Sequence, residues 1–190
     1  MLNHLMVDIE TLSIKPNATI IQIAAVPFNL DGDMGTGYNV FPSLVEQENR
    51  DRDTDTINWW ASTEEKRILL ASILIKQHKA GVQRIALNLS QLAATHKTDY
   101  VWCKGIDFDL PILQDYFNHF AIDDPFEKVG LGFRSRRCAR QLNLVAKDLG
   151  CVPSAPRDYS LQEHNALDDC KYQIQQVSYA MSYLKGKQNV

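Results

Sequence analysis

The feature that most constrains the fold is an apolar segment near the N-terminus that also carries two carboxylates. Residues 4–10 read HLMVDIE, so that three apolar residues precede Asp8 and Glu10. We expect a β-strand here, and its period of two places both acids on one face. Two carboxylates at the end of a buried strand repel each other and lose their hydration. Either the strand ends at the surface and both acids are solvated, or the pair binds a divalent cation.

The order of the predicted elements indicates an α/β fold. Strands are predicted over 19–29 and 36–42, so the chain begins with a three-stranded meander. A helix is then predicted to begin at Ser62, the N-cap of a capping box with Glu65. The remaining predicted elements are a short strand at 100–103 and helices at 62–77, 82–96, 110–120, 136–149 and 165–184. Strands followed by alternating strands and helices predict a mixed sheet flanked by helices.

Length and composition limit the class of protein. The 190 residues, 45% hydrophobic and 23% charged, predict a single domain over 1–190. No apolar run approaches the roughly 18 residues of a membrane span, and the N-terminus resembles a strand rather than a signal peptide. We therefore expect a cytoplasmic protein with no membrane partner and with its four cysteines reduced. The net charge of −3 neither requires nor excludes a nucleic-acid partner.

Two further segments carry acids whose roles remain open at this point. Asp109 precedes a predicted helix, so it is either an N-cap or part of an acidic site, with Asp107 as a second candidate. In the last helix, Asp169 lies about 90° from the centre of the apolar stripe, whereas Asp168 lies almost opposite it. The edge position allows Asp169 to face a cleft, and Asp168 is predicted to be solvated.

Three motifs, in this order, resemble those of the DEDDh family of 3′–5′ exonucleases. The first is Asp8-Ile-Glu10-Thr11, the second is Phe108-Asp109 followed by Ile112-Leu113, and the third is His164-x-Ala166-x-x-Asp169. The segments Thr56-Ile-Asn-Trp59-Trp60 and Trp102-x-x-Gly105-x-x-Phe108-Asp109 further resemble a phage and prophage group labelled exodeoxyribonuclease VIII-like. That group is related to the T-even phage exonuclease A and includes the mycobacterial 3′–5′ exoribonuclease.

This resemblance implies an RNase H-like fold and a two-metal mechanism. It implies that two Mg²⁺ or Mn²⁺ ions bind to a set of four carboxylates, Asp8, Glu10, Asp109 and Asp169, which offer the oxygen ligands that hard cations prefer. His164 would be the general base. The partners would be 3′ ends of single-stranded DNA or RNA, with DNA slightly favoured, and the products nucleoside 5′-monophosphates. Relatives of this kind often form homodimers, so a homodimer is a further option.

The predicted substrate contacts depend on weaker patterns. Thr11 and Phe108 come from the motifs. One of Trp59 and Trp60 is expected to stack on a base, and the other to lie in the core. The predicted phosphate contacts are Arg137 and Arg140, unless this basic cluster is only a solvated helix start. Relatives often carry Arg-Asp-x-Arg-Thr in this segment, and here the acid is replaced by Cys138 and the Thr by Gln141.

Three alternatives stay open at the level of sequence. The first is a 3′–5′ exoribonuclease, because the group that would read a 2′-hydroxyl is not visible in the sequence. The second, from another class, is a catalytically inactive nucleic-acid-binding domain, against which the intact acids and His164 argue. The third is a nucleotide phosphatase, which the pair of tryptophans disfavours.

Overall fold

A computed structural model describes residues 1–77, 81–151, 158 and 160–187. Within these residues, five strands form one mixed sheet: β1 His4–Thr11, β2 Ile20–Phe28, β3 Tyr38–Val40, β4 Tyr100–Cys103 and β5 Arg136–Cys138. Their order across the sheet is β3-β2-β1-β4-β5. The first three pair antiparallel, as a meander, and β1, β4 and β5 run parallel to one another. The carboxyl ends of β1, β4 and β5 therefore meet at one edge of the sheet.

Helices cover both faces of this sheet. In the described parts of the chain they are α1 Thr54–Trp60, α2 Glu64–Ile75, α3 Val82–Thr95, α4 Asp109–His119, α5 Ala139–Asp148 and α6 Ala166–Lys187. One buried cluster joins the sheet to α3 and α4, and a second joins it to α5 and α6. The α/β class predicted from the sequence is confirmed. Among the described helices, none is both long and apolar enough to span a bilayer.

Side chains along β1 point alternately to the two faces of the sheet, and this alternation determines which face carries Asp8 and Glu10. Leu5, Val7 and Ile9 belong to the core shared with α3 and α4, whereas Met6 belongs to the core shared with α5 and α6. Asp8 and Glu10 have the same parity as Met6, so both project toward the α6 face. The pairing of β1 with β2 stays in register from His4 to Glu10 and shifts only between Glu10 and Thr11.

The packing face of α6 follows the predicted apolar stripe. The stripe residues Ala166, Cys170, Ile174 and Val177 are fully buried against the sheet. This packing fixes the rotation of the helix about its own axis. Because that rotation is fixed, the positions of the acids in its first turn relative to β1 are fixed as well.

Several element boundaries differ from those predicted. Residues 136–138 begin no helix but form β5, a three-residue strand beside β4, and α5 begins only after Cys138. The helix α1 was not predicted, and Asp53 caps it through the N–H groups of Asp55 and Thr56. The N-cap of α2 is Thr63, whose side chain accepts from the N–H of Lys66, rather than Ser62. Segments of three to seven residues are too short to show a clear period.

A matched pair of isoleucines tests the packing of α6. Ile174→Ala should lower the free energy of unfolding by about 2–5 kcal/mol, because it leaves a cavity between α6 and the sheet. Ile68 of α2 is 63% exposed, and Ile68→Ala should change stability by less than about 0.5 kcal/mol. Urea unfolding measures both. Similar losses in the two variants would contradict the placement of α6.

Candidate active site

Four carboxylates from three elements meet at the edge where β1 and β4 end. Asp8 and Glu10 belong to β1, Asp109 is the first residue of α4, and Asp169 lies in the first turn of α6. All four line one cleft together with His164. Ligand atoms of Glu10, His164 and Asp169 lie within 4.8 Å of one another. The structure thus brings together the five residues predicted to be catalytic.

The carboxylates of β1, Asp8 buried and Glu10 half-buried, lie close to other negative charges. Burial raises the pKa of Asp8 well above its usual value, and the charges of Asp109 and Asp169 raise it further. The amide Nε2 of Gln173 opposes this rise by donating a hydrogen bond of 2.7 Å to Asp8 Oδ1. Burial also raises the pKa of Glu10, followed by the charge of Asp8. The solvated alternative is therefore wrong for Asp8, whereas Glu10 is half-buried at the edge of the cleft.

Asp109, and not Asp107, is the acid of the second motif that faces the cleft. Asp109 is 4% exposed, whereas Asp107 is exposed on the surface. Burial raises the pKa of Asp109 to about 7, although hydrogen bonds from the backbone of Ile9, Asp109 and Gly105 oppose the rise. The residue at the N-cap of α4 is Phe108, so Asp109 does not serve only as a cap.

This donor set fits a divalent cation. Carboxylate oxygens from three elements converge, and Asp8, Glu10 and Asp109 form no ion pair with any described Lys or Arg. Hard oxygen ligands of this kind suit Mg²⁺ and Mn²⁺. A bound cation would relieve the repulsion that raises the pKa values of these acids.

His164 is held beside Asp169 by an unusual backbone conformation. Its φ of 63° lies in the left-handed region, which costs a non-glycine residue about 1–2 kcal/mol. Its N–H donates to Asp169 Oδ2 at 3.1 Å. Its ring meets that of Trp59 edge to face, with 4.7 Å between centroids. Strain of this kind is often retained where it aims a functional side chain, and here the ring lines the cleft.

The predicted substrate contacts divide into two groups. Phe108 and Arg140 line the cleft, and Trp59 is 39% exposed beside His164. Trp60 is the core member of its pair, because its indole is buried and donates to the carbonyl of Thr11 at 3.0 Å. The Thr11 hydroxyl is also buried and donates to the Ser13 carbonyl. The structure therefore does not bring the side chains of Thr11 and Trp60 into the cleft.

Arg137 also points away from the cleft. Its guanidinium donates to the carbonyls of Arg134 and Arg136, and it lies 4.1 Å from the ring centroid of Tyr100. Cys138, which replaces the acid found in relatives, caps α5 through a hydrogen bond from the N–H of Gln141 to its sulfur. Of the two arginines predicted to contact phosphate, only Arg140 lines the cleft.

Asp168 differs from its predicted solvated state. Its side chain is only 22% exposed, and it accepts hydrogen bonds from the N–H of Gln162 and the Nζ of Lys171. The helical-face argument still separates the two neighbours, because Asp169 lines the cleft and Asp168 does not. Asp168 instead ties the segment before α6 to the first turn of that helix.

Two residues of the site were missed in the sequence. Lys104 lines the cleft directly after β4, and Gln173 supports Asp8 from α6. Gln173 follows Asp169 by four positions, which places both on one helical face, so that spacing was an available signal. Nothing in the sequence distinguishes Lys104 from a surface lysine.

Comparison with known proteins shows which family this arrangement belongs to. Residues 3–181 match the model of the 3′-5′ exoribonuclease Rv2179c-like domain. The chain belongs to the Rv2179c-like domain family. No curated protein matches the chain.

Solved structures show the same fold at low sequence identity. Exonuclease I from Methylocaldum szegediense superposes with a TM-score of 0.60 at 15% identity, over 97% of this chain and 40% of that one. E. coli exonuclease I in complex with a dA16 oligonucleotide gives 0.59 at 13% identity, over 94% and 40%. The chain thus spans about two fifths of the length of these proteins. The likeness confirms the RNase H-like α/β fold.

Removing one buried charge should stabilise the metal-free protein. The pKa of Asp8 is higher in the folded protein than the value of about 3.9 in the unfolded chain. Below that unfolded value Asp8 is protonated in both states and does not lower the stability. As pH rises through the folded pKa, Asp8 ionises in its buried position and the folded protein loses stability. Asn cannot ionise, so Asp8→Asn in EDTA at pH 8 should melt at least about 2–4 °C above the wild type. The difference should shrink toward pH 4. Thermal melts measure it, with the exposed Asp107→Asn as control, and a lower melting temperature for Asp8→Asn would contradict the account.

Proposed function

We propose that the chain is a metal-dependent 3′–5′ exonuclease that releases nucleoside 5′-monophosphates from single-stranded nucleic acid. The observation that carries this proposal is the convergence of four carboxylates and His164 in one cleft. Membership of the Rv2179c-like family supports the same class of reaction. The proposed ligands of two Mg²⁺ or Mn²⁺ ions are Asp8, Glu10, Asp109 and Asp169. When bound, such ions supply a water of lowered pKa and neutralise charge at the scissile phosphate.

The protein's own groups would orient the substrate and move the proton. His164 would accept the proton of the attacking water, since a neutral imidazole is the side chain most often used as a general base. The hydrogen bond from its backbone N–H to Asp169 holds the backbone of His164 beside that carboxylate. Gln173 would hold Asp8 Oδ1 in one orientation during turnover.

Aromatic side chains near the cleft favour an unpaired 3′ terminus. Phe108 lines the cleft, and Trp59 stands beside His164 with the Nζ of Lys66 3.8 Å from its ring centroid. We propose that these rings contact the terminal bases, because aromatic rings stack on any base. A duplex would have to be unpaired first, at a cost of a few kcal/mol.

The substrate could contain either deoxyribose or ribose, so DNA and RNA are the two candidate substrates. The description of the matched family favours RNA, whereas the phage-like motifs slightly favour DNA. The exonuclease I structure of similar fold holds a dA16 oligonucleotide. We propose single strands of either sugar as substrates, with the exoribonuclease as the second candidate. Assignment to the phage-type group, a homodimeric state and a cytoplasmic location remain predictions.

Matched 5′-labelled DNA and RNA 20-mers test the polarity and the substrate. With Mg²⁺ or Mn²⁺ we expect a ladder that shortens from the 3′ end, and EDTA should stop it reversibly. A 3′-terminal phosphorothioate should slow digestion, whereas a 5′ block should have no effect. Asp8→Asn should be inactive and Asp107→Asn active. Activity in EDTA, or arrest by the 5′ block, would contradict the proposal.

Replacing His164 tests its role as general base. His164→Ala should lower kcat by about 10²–10⁴, the usual contribution of a general base. His119, exposed at the far end of α4, provides the control, and His119→Ala should leave kcat unchanged. Single-turnover digestion measures the chemical step. A loss below about ten-fold at His164 would mean that another group takes the proton.

A further inference from the structure

Two cationic side chains that the mechanism above does not use lie on the rim of the cleft. Lys104 directly follows β4, and Arg140 lies in the first turn of α5. Both are exposed, and both line the same cleft as the carboxylates. Within the described ranges, neither side chain donates a hydrogen bond or forms an ion pair. The two charges therefore remain available to a ligand.

The backbone holds these two residues side by side. The N–H of Arg140 donates to the carbonyl of Lys104 at 3.1 Å, and the Cys138 thiol donates to the same carbonyl at 3.4 Å. The guanidinium of Arg140 lies across Gly105, where a Cβ would come within 3.5 Å of both of its terminal nitrogens. The guanidinium of Arg140 is therefore placed against the residue that directly follows Lys104.

His164 and this cationic pair stand on opposite sides of the carboxylates. The segment with His164 is tied to β2, because the N–H of Ala166 donates to Gln22 Oε1 at 3.2 Å. Asp8 and Glu10 lie on β1, the next strand, and Lys104 and Arg140 follow β4 and β5 beyond it. Burial raises the pKa of Asp8 and of Glu10, and the charge of Lys104 is close enough to oppose both rises.

The geometry of in-line displacement at phosphorus predicts on which side of the cleft the leaving oxygen lies. The attacking water and the leaving oxygen lie on opposite sides of the phosphorus atom. If His164 takes a proton from the water on the β2 side, the leaving oxygen departs on the β4–β5 side. In digestion from the 3′ end, that oxygen is the new 3′-hydroxyl of the retained strand. The next phosphodiester of that strand lies one nucleotide upstream.

We infer that Lys104 and Arg140 bind the phosphodiester one nucleotide upstream of the scissile bond. This inference rests on the proposed function. A guanidinium and an ammonium group supply two positive charges and several N–H donors to a phosphate. The pair would hold the retained strand while the terminal nucleotide leaves.

Two substrates separate this role from a general effect on the site. Thymidine 5′-p-nitrophenyl phosphate contains a scissile phosphate but no upstream phosphodiester, whereas (dT)₈ contains both. Lys104→Ala and Arg140→Ala should each lower kcat/KM on (dT)₈ by about ten- to hundred-fold, the effect of losing a charged hydrogen bond. On the small ester, measured at saturating Mg²⁺, each loss should be at least about ten-fold smaller than the loss on (dT)₈.

The control removes a charge elsewhere. Lys128 is exposed in the segment before β5, at the opposite end of that strand from the cleft, and Lys128→Ala should change neither rate. Equal losses on both substrates would overturn the inference, because Lys104 and Arg140 would then act on the scissile phosphate or on the carboxylates. Unchanged digestion of (dT)₈ would overturn it as well.

A binding cycle provides a readout that does not depend on turnover. Fluorescence anisotropy of 5′-labelled (dT)₈ is measured in the Asp8→Asn background, with and without a neutral methylphosphonate at the upstream linkage. The methylphosphonate should weaken binding by about ten-fold when Lys104 is present and have little further effect in Lys104→Ala. Equal weakening in both proteins would overturn the inference. If the wild type hydrolyses neither substrate, the exonuclease proposal fails, and this cycle still decides whether Lys104 contacts that phosphate.

Discussion

The repulsion among the carboxylates of one cleft is the interaction around which the site is built. Asp8 and Asp109 are almost wholly buried, and burial together with neighbouring charge raises the pKa of Asp8. A fold that retained these groups only for stability would gain from replacing them with apolar side chains. A divalent cation in the cleft would explain why the protein keeps buried carboxylates that repel one another, since each carboxylate would then be attracted to the shared ion. The acids and the proposed ions therefore belong to one explanation.

The surrounding elements hold the acids in place against that repulsion. Hydrogen bonding along β1 fixes Asp8 and Glu10, and the apolar stripe of α6 fixes the rotation that presents Asp169. Gln173 lies on the same helix and bonds directly to Asp8. His164 retains a left-handed backbone, so its position is determined by its surroundings rather than by its own preference. Strands and helices thus position the four carboxylates, and His164 lies in the turn directly before α6.

Much of this site was predictable because the carboxylates lie in a strand and a helix, whose side chains repeat with known periods along the sequence. The period of two in β1 placed Asp8 and Glu10 on one face, and the helical period separated Asp169 from Asp168. The strand β5 was missed because three residues carry no measurable period, and its pairing depends on β4. Motif resemblance alone could not show that the Thr11 hydroxyl is buried or that Arg137 packs on Tyr100. Those outcomes depend on tertiary contacts. Lys104 gave no local signal, since only the sheet order brings it to the cleft.

The central claim is that the four acids constitute a site for divalent cations, and direct metal binding tests it. Titration of the protein with Mn²⁺, followed by the EPR signal of the free ion, measures the number of ions bound and their affinity without any substrate or turnover. The account predicts saturable binding of up to two ions per chain at pH 7.5, with loss of that binding in Asp8→Asn and retention in Asp107→Asn. Wild-type protein that binds no Mn²⁺ above the level of Asp8→Asn would contradict it.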